Sequence, residues 1–137
     1  MTFDEYDDYL DEPELSVKVL LADPDPEIRK KYIKKLKSDK FQQWSIFEAN
    51  SGRETISLYD QEHPGCVLLN TDMSDLDGMK VLQYIQDDTY WNCAVILFTD
   101  TLNEKQAVIA IKKGASQYVV RDKKQSYLNK LKATSTN

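Results

Sequence analysis

Four polar residues each stand one step beyond an apolar run: Asp23 after VKVLLA, Asn70 after CVLL, Thr99 after AVILF and Arg121 after QYVV. A carboxylate, a carboxamide, a hydroxyl and a guanidinium brought to one place can ligate a metal ion or close into an internal ion pair. The opposing reading is that buried segments end in polar residues because the chain leaves the core there. The choice depends on whether the four ends lie side by side.

Other chemistries find less support. The glycines Gly52, Gly65, Gly78 and Gly114 are scattered, each at a turn or helix end, so no loop is built to cradle a nucleotide. His63 is the only histidine and precedes Pro64, which leaves a Ser/His/Asp triad without a base. Cys66 and Cys93 lie in apolar runs without a CxxC pair, so they read as buried reduced thiols rather than zinc ligands.

The polar positions need elements to hold them, and the alternation of strand and helix periods supplies these. Strands are expected at VKVLLA (17–22), WSIFEA (44–49), CVLLN (66–70), AVILFT (94–99) and QYVV (117–120). The first helix runs from about Pro26 to Lys37, opened by Asp25 and Pro26, with Ile28, Tyr32, Ile33 and Leu36 on one stripe. Ser51 with Glu54 forms a capping box for a helix carrying Ile56, Leu58 and Tyr59, which His63, Pro64 and Gly65 end. The loop TDMSDLDG leads into a helix with Val81, Leu82 and Ile85. Asn103 with Gln106 resembles a second capping box, for a helix whose buried stripe is Ala107, Ala110 and Ile111 and whose end is Gly114. Tyr127, Leu128 and Leu131 mark a fifth helix. Right-handed crossovers turn this pattern into an α/β domain, a flavodoxin-like parallel sheet of order 2-1-3-4-5 with five helices on its two faces. In such sheets, ligands bind outside the carboxyl ends of the strands, where the four polar residues fall.

A chain of 137 residues with 41% hydrophobic and 30% charged residues has room for one ordinary domain and its core. No apolar run approaches the ~20 residues of a membrane helix, and the acidic start is the wrong chemistry for a signal peptide, so a cytoplasmic location is expected. The net charge of -5 is uneven: residues 1–16 hold seven acids and no base, whereas the rest carries 18 bases and 16 acids, a net +2. Residues 1–16 therefore read as an acidic, disordered tail, 17–132 as the domain and 133–137 as a short second tail. Tyr6, Tyr9 and Leu10 would let the first tail grip a partner or the domain's own basic face. That face belongs to the first helix, with Lys30, Lys31, Lys34, Lys35 and Lys37. Without interleaved aromatics it suits solvent or an acidic protein better than nucleic acid.

In order and spacing, KVLLADPDPEIR, VLLNTDMSDLDGMKVL, AVILFTD and GASQYVVRD resemble the receiver domain of two-component response regulators over roughly residues 17–132. Receivers take a phosphoryl group from a histidine kinase onto an Asp that ends the third strand. An acid pair after the first strand holds Mg²⁺, the fourth strand ends in Thr or Ser, and the fifth ends in Lys followed by Pro. Carried across, the acceptor position is Asn70 and the acid pair is Asp23 followed by Pro24. Thr99 is kept, Arg121 replaces the lysine and Asp122 the proline, while Tyr118 keeps the switch aromatic. The loop proline is replaced by Ser74, although Asp77 and Gly78 remain.

These departures add up. A working receiver site holds three carboxylates and one ammonium, which draws in Mg²⁺; here one carboxylate faces one guanidinium. A carboxamide is a feeble nucleophile and forms no acyl phosphate. The resemblance thus implies a degenerate pocket of Asp23, Pro24, Asn70, Thr99 and Arg121, with no catalytic residue and no cofactor. Mg²⁺ binding is expected to be lost or weak, with Asp23 and Asp72 as its only candidate ligands. The expected function is a non-enzymatic, phosphorylation-independent pseudo-receiver in a phosphorelay-like pathway. Its partner would be a histidine kinase, another response regulator or an output protein, or a second copy through the fourth helix, fifth strand and fifth helix. Asn103, Lys105, Lys112, Gln117 and Tyr118 are the candidate surface residues. Two alternatives remain: phosphorylation on a surrogate among Asp72, Asp75 and Asp77, and a small-molecule site in the same cleft. Asp25 fits helix capping better than chemistry.

Overall fold

The computed structural model describes residues 16–40, 42–121 and Leu128. Five strands, β1 (Val17–Ala22), β2 (Trp44–Ala49), β3 (Cys66–Asn70), β4 (Ala94–Thr99) and β5 (Gln117–Val120), pair in parallel in the order β2-β1-β3-β4-β5. Four helices connect them: α1 (Pro26–Lys37), α2 (Gly52–Glu62), α3 (Gly78–Asp87) and α4 (Glu104–Lys112). The fifth helix expected around Tyr127 and Leu131 lies outside the described residues, so four helices are described rather than five. Leu128, helical itself, packs against the core half that α1 covers. Of the tails read over residues 1–16 and 133–137, residues 1–15 and 133–137 lie outside the described residues, as does Asp122, whereas Ser16 is described and bonds Ser45.

The central strands are apolar throughout because both sheet faces are covered. Leu20, Val67, Leu69, Val95 and Leu97 point to one face, where Val81, Leu82 and Ile85 of α3 and Tyr59 of α2 meet them. Val19, Leu21, Leu68, Ile96 and Phe98 point to the other, under Tyr32 and Leu36 of α1. Each interior strand thus reads as an unbroken hydrophobic run that must end where its backbone emerges. β1 and β3 pair from Val19 with Cys66 to Ala22 with Leu69, and β3 and β4 from Cys66 with Ala94 to Asn70 with Phe98. This register puts Asp23 and Asn70 next to each other.

Local chemistry sets the helix starts. Asp25 caps α1 by accepting from the Glu27 N–H, Asp77 caps α3 through the Met79 N–H, and Asn103 caps α4 through the Gln106 N–H. Ser51 accepts from Glu54 N–H as a capping box requires, but the Glu54 carboxylate returns to the N–H of Asn50 rather than to that of Ser51. Gln106 departs further, its side-chain oxygen accepting from the Tyr118 hydroxyl at 2.8 Å. The second capping box is therefore only half formed, and its free half ties α4 to β5.

The stripe expected on α4 is corrected by the fold. Ala110 is buried and Ala107 half-buried, but Ile111 is 51% exposed, together with Val108 and Ile109. The run AVIAI is apolar on every side, so periodicity cannot select its buried face. The sheet accepts the small alanine and leaves the branched residues outside.

Candidate functional site

Asp23 continues β1, its N–H donating to the Ala49 carbonyl, and its side chain is almost wholly buried. Both carboxylate oxygens are engaged. Oδ1 accepts from the Asp25 N–H at 2.8 Å, which shapes the turn into α1. Oδ2 accepts from Asn70 Nδ2 at 3.0 Å and from Arg121 Nη1 at 2.7 Å. The Asn70 carboxamide is oriented from both ends, because its Oδ1 accepts from the Asp72 N–H at 2.7 Å. Burying the Asp23 charge requires such partners, since an unpaired buried carboxylate is costly.

Arg121 leaves β5 after its N–H bonds the Thr99 carbonyl. Its Nη1 also reaches the Tyr32 hydroxyl at 3.3 Å, and its Nε and Nη2 grip both oxygens of Asp100 at 2.9 and 3.1 Å. The guanidinium thus spans a buried carboxylate and an exposed one, with only the planar fork of arginine able to serve both. Burial works against its charge, but Tyr32, Asp100 and Asp23 outweigh that and hold its proton more tightly than usual.

Of the residues expected at the site, Asp23, Asn70 and Arg121 meet directly. Thr99 is buried at the end of β4, but its hydroxyl donates to the Thr101 carbonyl within its own loop. Pro24 is exposed and offers no donor to Asp23. Asp72 contributes its backbone N–H while its side chain stands exposed. Tyr118 is half-buried, and burial raises its phenol above the ordinary value.

The contacts of three residues escaped the sequence reading, which placed Tyr32 on the α1 stripe and Asp75 among the surrogate acids and did not name Asp100. Asp100 and Tyr32 complete the arginine's shell from 21 and 89 positions away, a separation that leaves no local signal. Asp75 reaches back to accept from the N–H groups of Gly52 and Arg53 at 2.8 and 3.0 Å, closing the first turn of α2 from another loop. These bonds hold its carboxyl below the usual range. Gly52 is obligatory there, since a Cβ would sit 2.6 Å from the Leu76 Cβ and 2.7 Å from its carbonyl oxygen. Among the described residues, no group of three or more His, Cys, Asp or Glu could hold a metal ion, and no helix is long and apolar enough to cross a membrane.

A five-stranded parallel sheet of this order, with a carboxylate, an amide, a hydroxyl and a cation at the carboxyl ends of its strands, defines a receiver-type module. The family comparison agrees: residues 19–133 match the model of the response regulator receiver domain, and the chain belongs to that family. It is similar to the "Probable transcriptional regulator ycf27" of Guillardia theta, 31% identical over 108 residues, covering 79% of this chain and 41% of that protein. It also matches the nitrate/nitrite response regulator protein NarL of Escherichia coli K12, 27% identical over 77 residues, covering 56% of this chain and 35% of that protein. The chain therefore spans well under half the length of these relatives. Among solved structures, the receiver domain of the Francisella response regulator 1452 superposes with a TM-score of 0.76 at 21% identity, covering 88% of this chain and 94% of that one. The chain is thus a response regulator receiver domain, a class of signalling module.

Proposed function

We propose that this receiver signals without phosphorylation, as an interaction module whose acceptor position is held by Asn70. One observation carries the reading: Asp23 Oδ2 faces two donors, Arg121 Nη1 and Asn70 Nδ2, at 2.7 and 3.0 Å. A magnesium ion needs a nearly octahedral set of oxygens and sheds water reluctantly. At the Asp23 oxygen it would meet a guanidinium and an amide N–H, so the residues present do not fit it. An Asn side chain offers no carboxylate for acyl phosphate formation. The neighbouring acids have other tasks: Asp25 and Asp77 cap α1 and α3, and Asp75 closes the first turn of α2. The Asp72 carboxylate makes no hydrogen bond among the described residues, and it lies in the loop beyond the strand end, outside the position in-line transfer requires.

The partner is a histidine kinase, another response regulator or an output protein, and α4 with β5 offers the contact face. Val108, Ile109 and Val120 stand exposed there, and Lys105 shares a depression with the first two. Exposed apolar groups of this kind mark contact surfaces. The Gln106 to Tyr118 bond joins this face to the sheet, so a partner with unequal affinity for two arrangements of Tyr118 would supply the bias that phosphate supplies elsewhere.

Incubation with Mg²⁺ and acetyl phosphate, followed by intact-mass measurement, tests the proposal. An unchanged mass is expected. A phosphoryl adduct that disappears in Asp72→Ala would replace the proposal with surrogate phosphorylation.

A further inference from the structure

We infer that residues 1–15 dock on the lysine face of α1 and screen it from acidic partners. Six of the 12 residues of α1 are basic and one is acidic. Arg29 is spent on Glu48 and Lys30 on Glu27, while no salt bridge among the described residues engages Lys31, Lys34 or Lys37. Lys31, Lys34, Lys35 and Ser38 border a depression of about 540 Å³ that includes the apolar side chain of Leu128. A second depression, of about 520 Å³, runs beside it between Lys37 and Trp44. The Nε1 of Trp44 is buried there without a hydrogen-bond partner among the described residues.

The described chain begins beside this surface, and beside a third depression lined by Lys18, His63 and Trp91. Ser16, the first described residue, borders the second depression together with Lys37 and bonds Ser45 at the start of β2. Residues 1–15 carry seven carboxylates and no base, interspersed with Phe3, Tyr6, Tyr9 and Leu10. Fifteen extended residues span up to ~50 Å, whereas α1 is about 18 Å long, so the segment reaches every lysine of the face. Its carboxylates match the lysines, and its aromatic and leucine side chains match the apolar floor. Tethering at Ser16 makes the encounter intramolecular, at an effective concentration that free partners seldom reach. The inference does not depend on the state of the Asp23 pocket.

Zero-length carbodiimide crosslinking of the full chain at low ionic strength, with peptide mass analysis of the monomeric and dimeric fractions separately, tests it. Amide links from Lys31, Lys34, Lys35 or Lys37 to acids between Asp4 and Glu14 are expected, reduced several-fold at ~0.5 M salt. Links confined to covalent dimers would assign the face to a second copy, and links only to other lysines, or none, would equally overturn the inference. A second measurement replaces the seven acids with their amides, all of them ahead of β1, and adds a fluorescent polyglutamate peptide. At least tenfold tighter binding than to the unaltered chain is expected. Equal binding means the face was never screened.

Discussion

Arg121 and Asp23, 98 positions apart, meet at 2.7 Å with side chains only 6% and 2% exposed. The pair pins the end of β5 to the end of β1 across the intervening strands. Burying two opposite charges gains little over two well-fitted apolar groups, but leaving one of them alone is costly.

Arg121→Ala therefore costs about 3–5 kcal/mol, because the buried Asp23 side chain loses its cationic partner and keeps only two N–H donors. Asp23→Ala with Arg121→Ala costs clearly less than the two single changes together. Urea denaturation of the four chains reads the coupling, and strictly additive costs would contradict the pairing. Arg121→Lys recovers only part of the loss, since an ammonium lacks the fork that holds Asp100.

Restoring a carboxylate at Asn70 is expected to harm the protein. In Asn70→Asp an oxygen replaces the donor 3.0 Å from Asp23 Oδ2, and about 1–3 kcal/mol of stability is lost at neutral pH. The variant gains no phosphoryl adduct from acetyl phosphate. Thermal melts at neutral pH and intact-mass spectra check both statements.

Asp75 sets an acid-side limit on stability. Its backbone N–H partners, Arg53 and Gly52, hold its folded-state value below the ordinary carboxyl range. Its contribution is therefore complete above that range and is lost as pH falls through the lower folded value. Asp75→Asn should flatten this part of the stability curve relative to the unaltered chain. A parallel acid dependence in both chains would show that the loop bond carries no such role.

The two cysteines should be silent in the native chain. Burial pushes the Cys93 thiol up to about 12, with Cys66 adding to the shift, and both side chains are buried. At pH 8 this leaves about one thiolate in ten thousand at Cys93. Iodoacetamide should modify neither residue without denaturant and both in it. Rapid native labelling of Cys93 would mean that the α3 to β4 connection opens readily.

Much of the candidate site was legible because its members sit where buried strands end. A run such as VKVLLA reads as a strand with both faces covered, and the polar residue after it has to mark the carboxyl edge. Asp23, Asn70 and Arg121 were found in this way, and Asp25 and Asp77 by the short-range logic of capping. Asp100, Tyr32 and the Asp75 bridge were not, because their contacts join segments remote in the chain that only the folded sheet brings together. The stripe on α4 failed for a different reason, since AVIAI offers an apolar side chain in every direction.

The amino-acid order alone determined the strands, the order of the sheet and the polar residues that end its strands, because hydrophobic period and residue type are local properties. Only the tertiary structure decided that the guanidinium and the amide share one oxygen of Asp23, that Gln106 abandons its cap for Tyr118, and which face of α4 remains exposed. Hydrogen-bond partners and packing faces are selected by distances between segments remote in the chain. Those distances exist only after the sheet has closed its register.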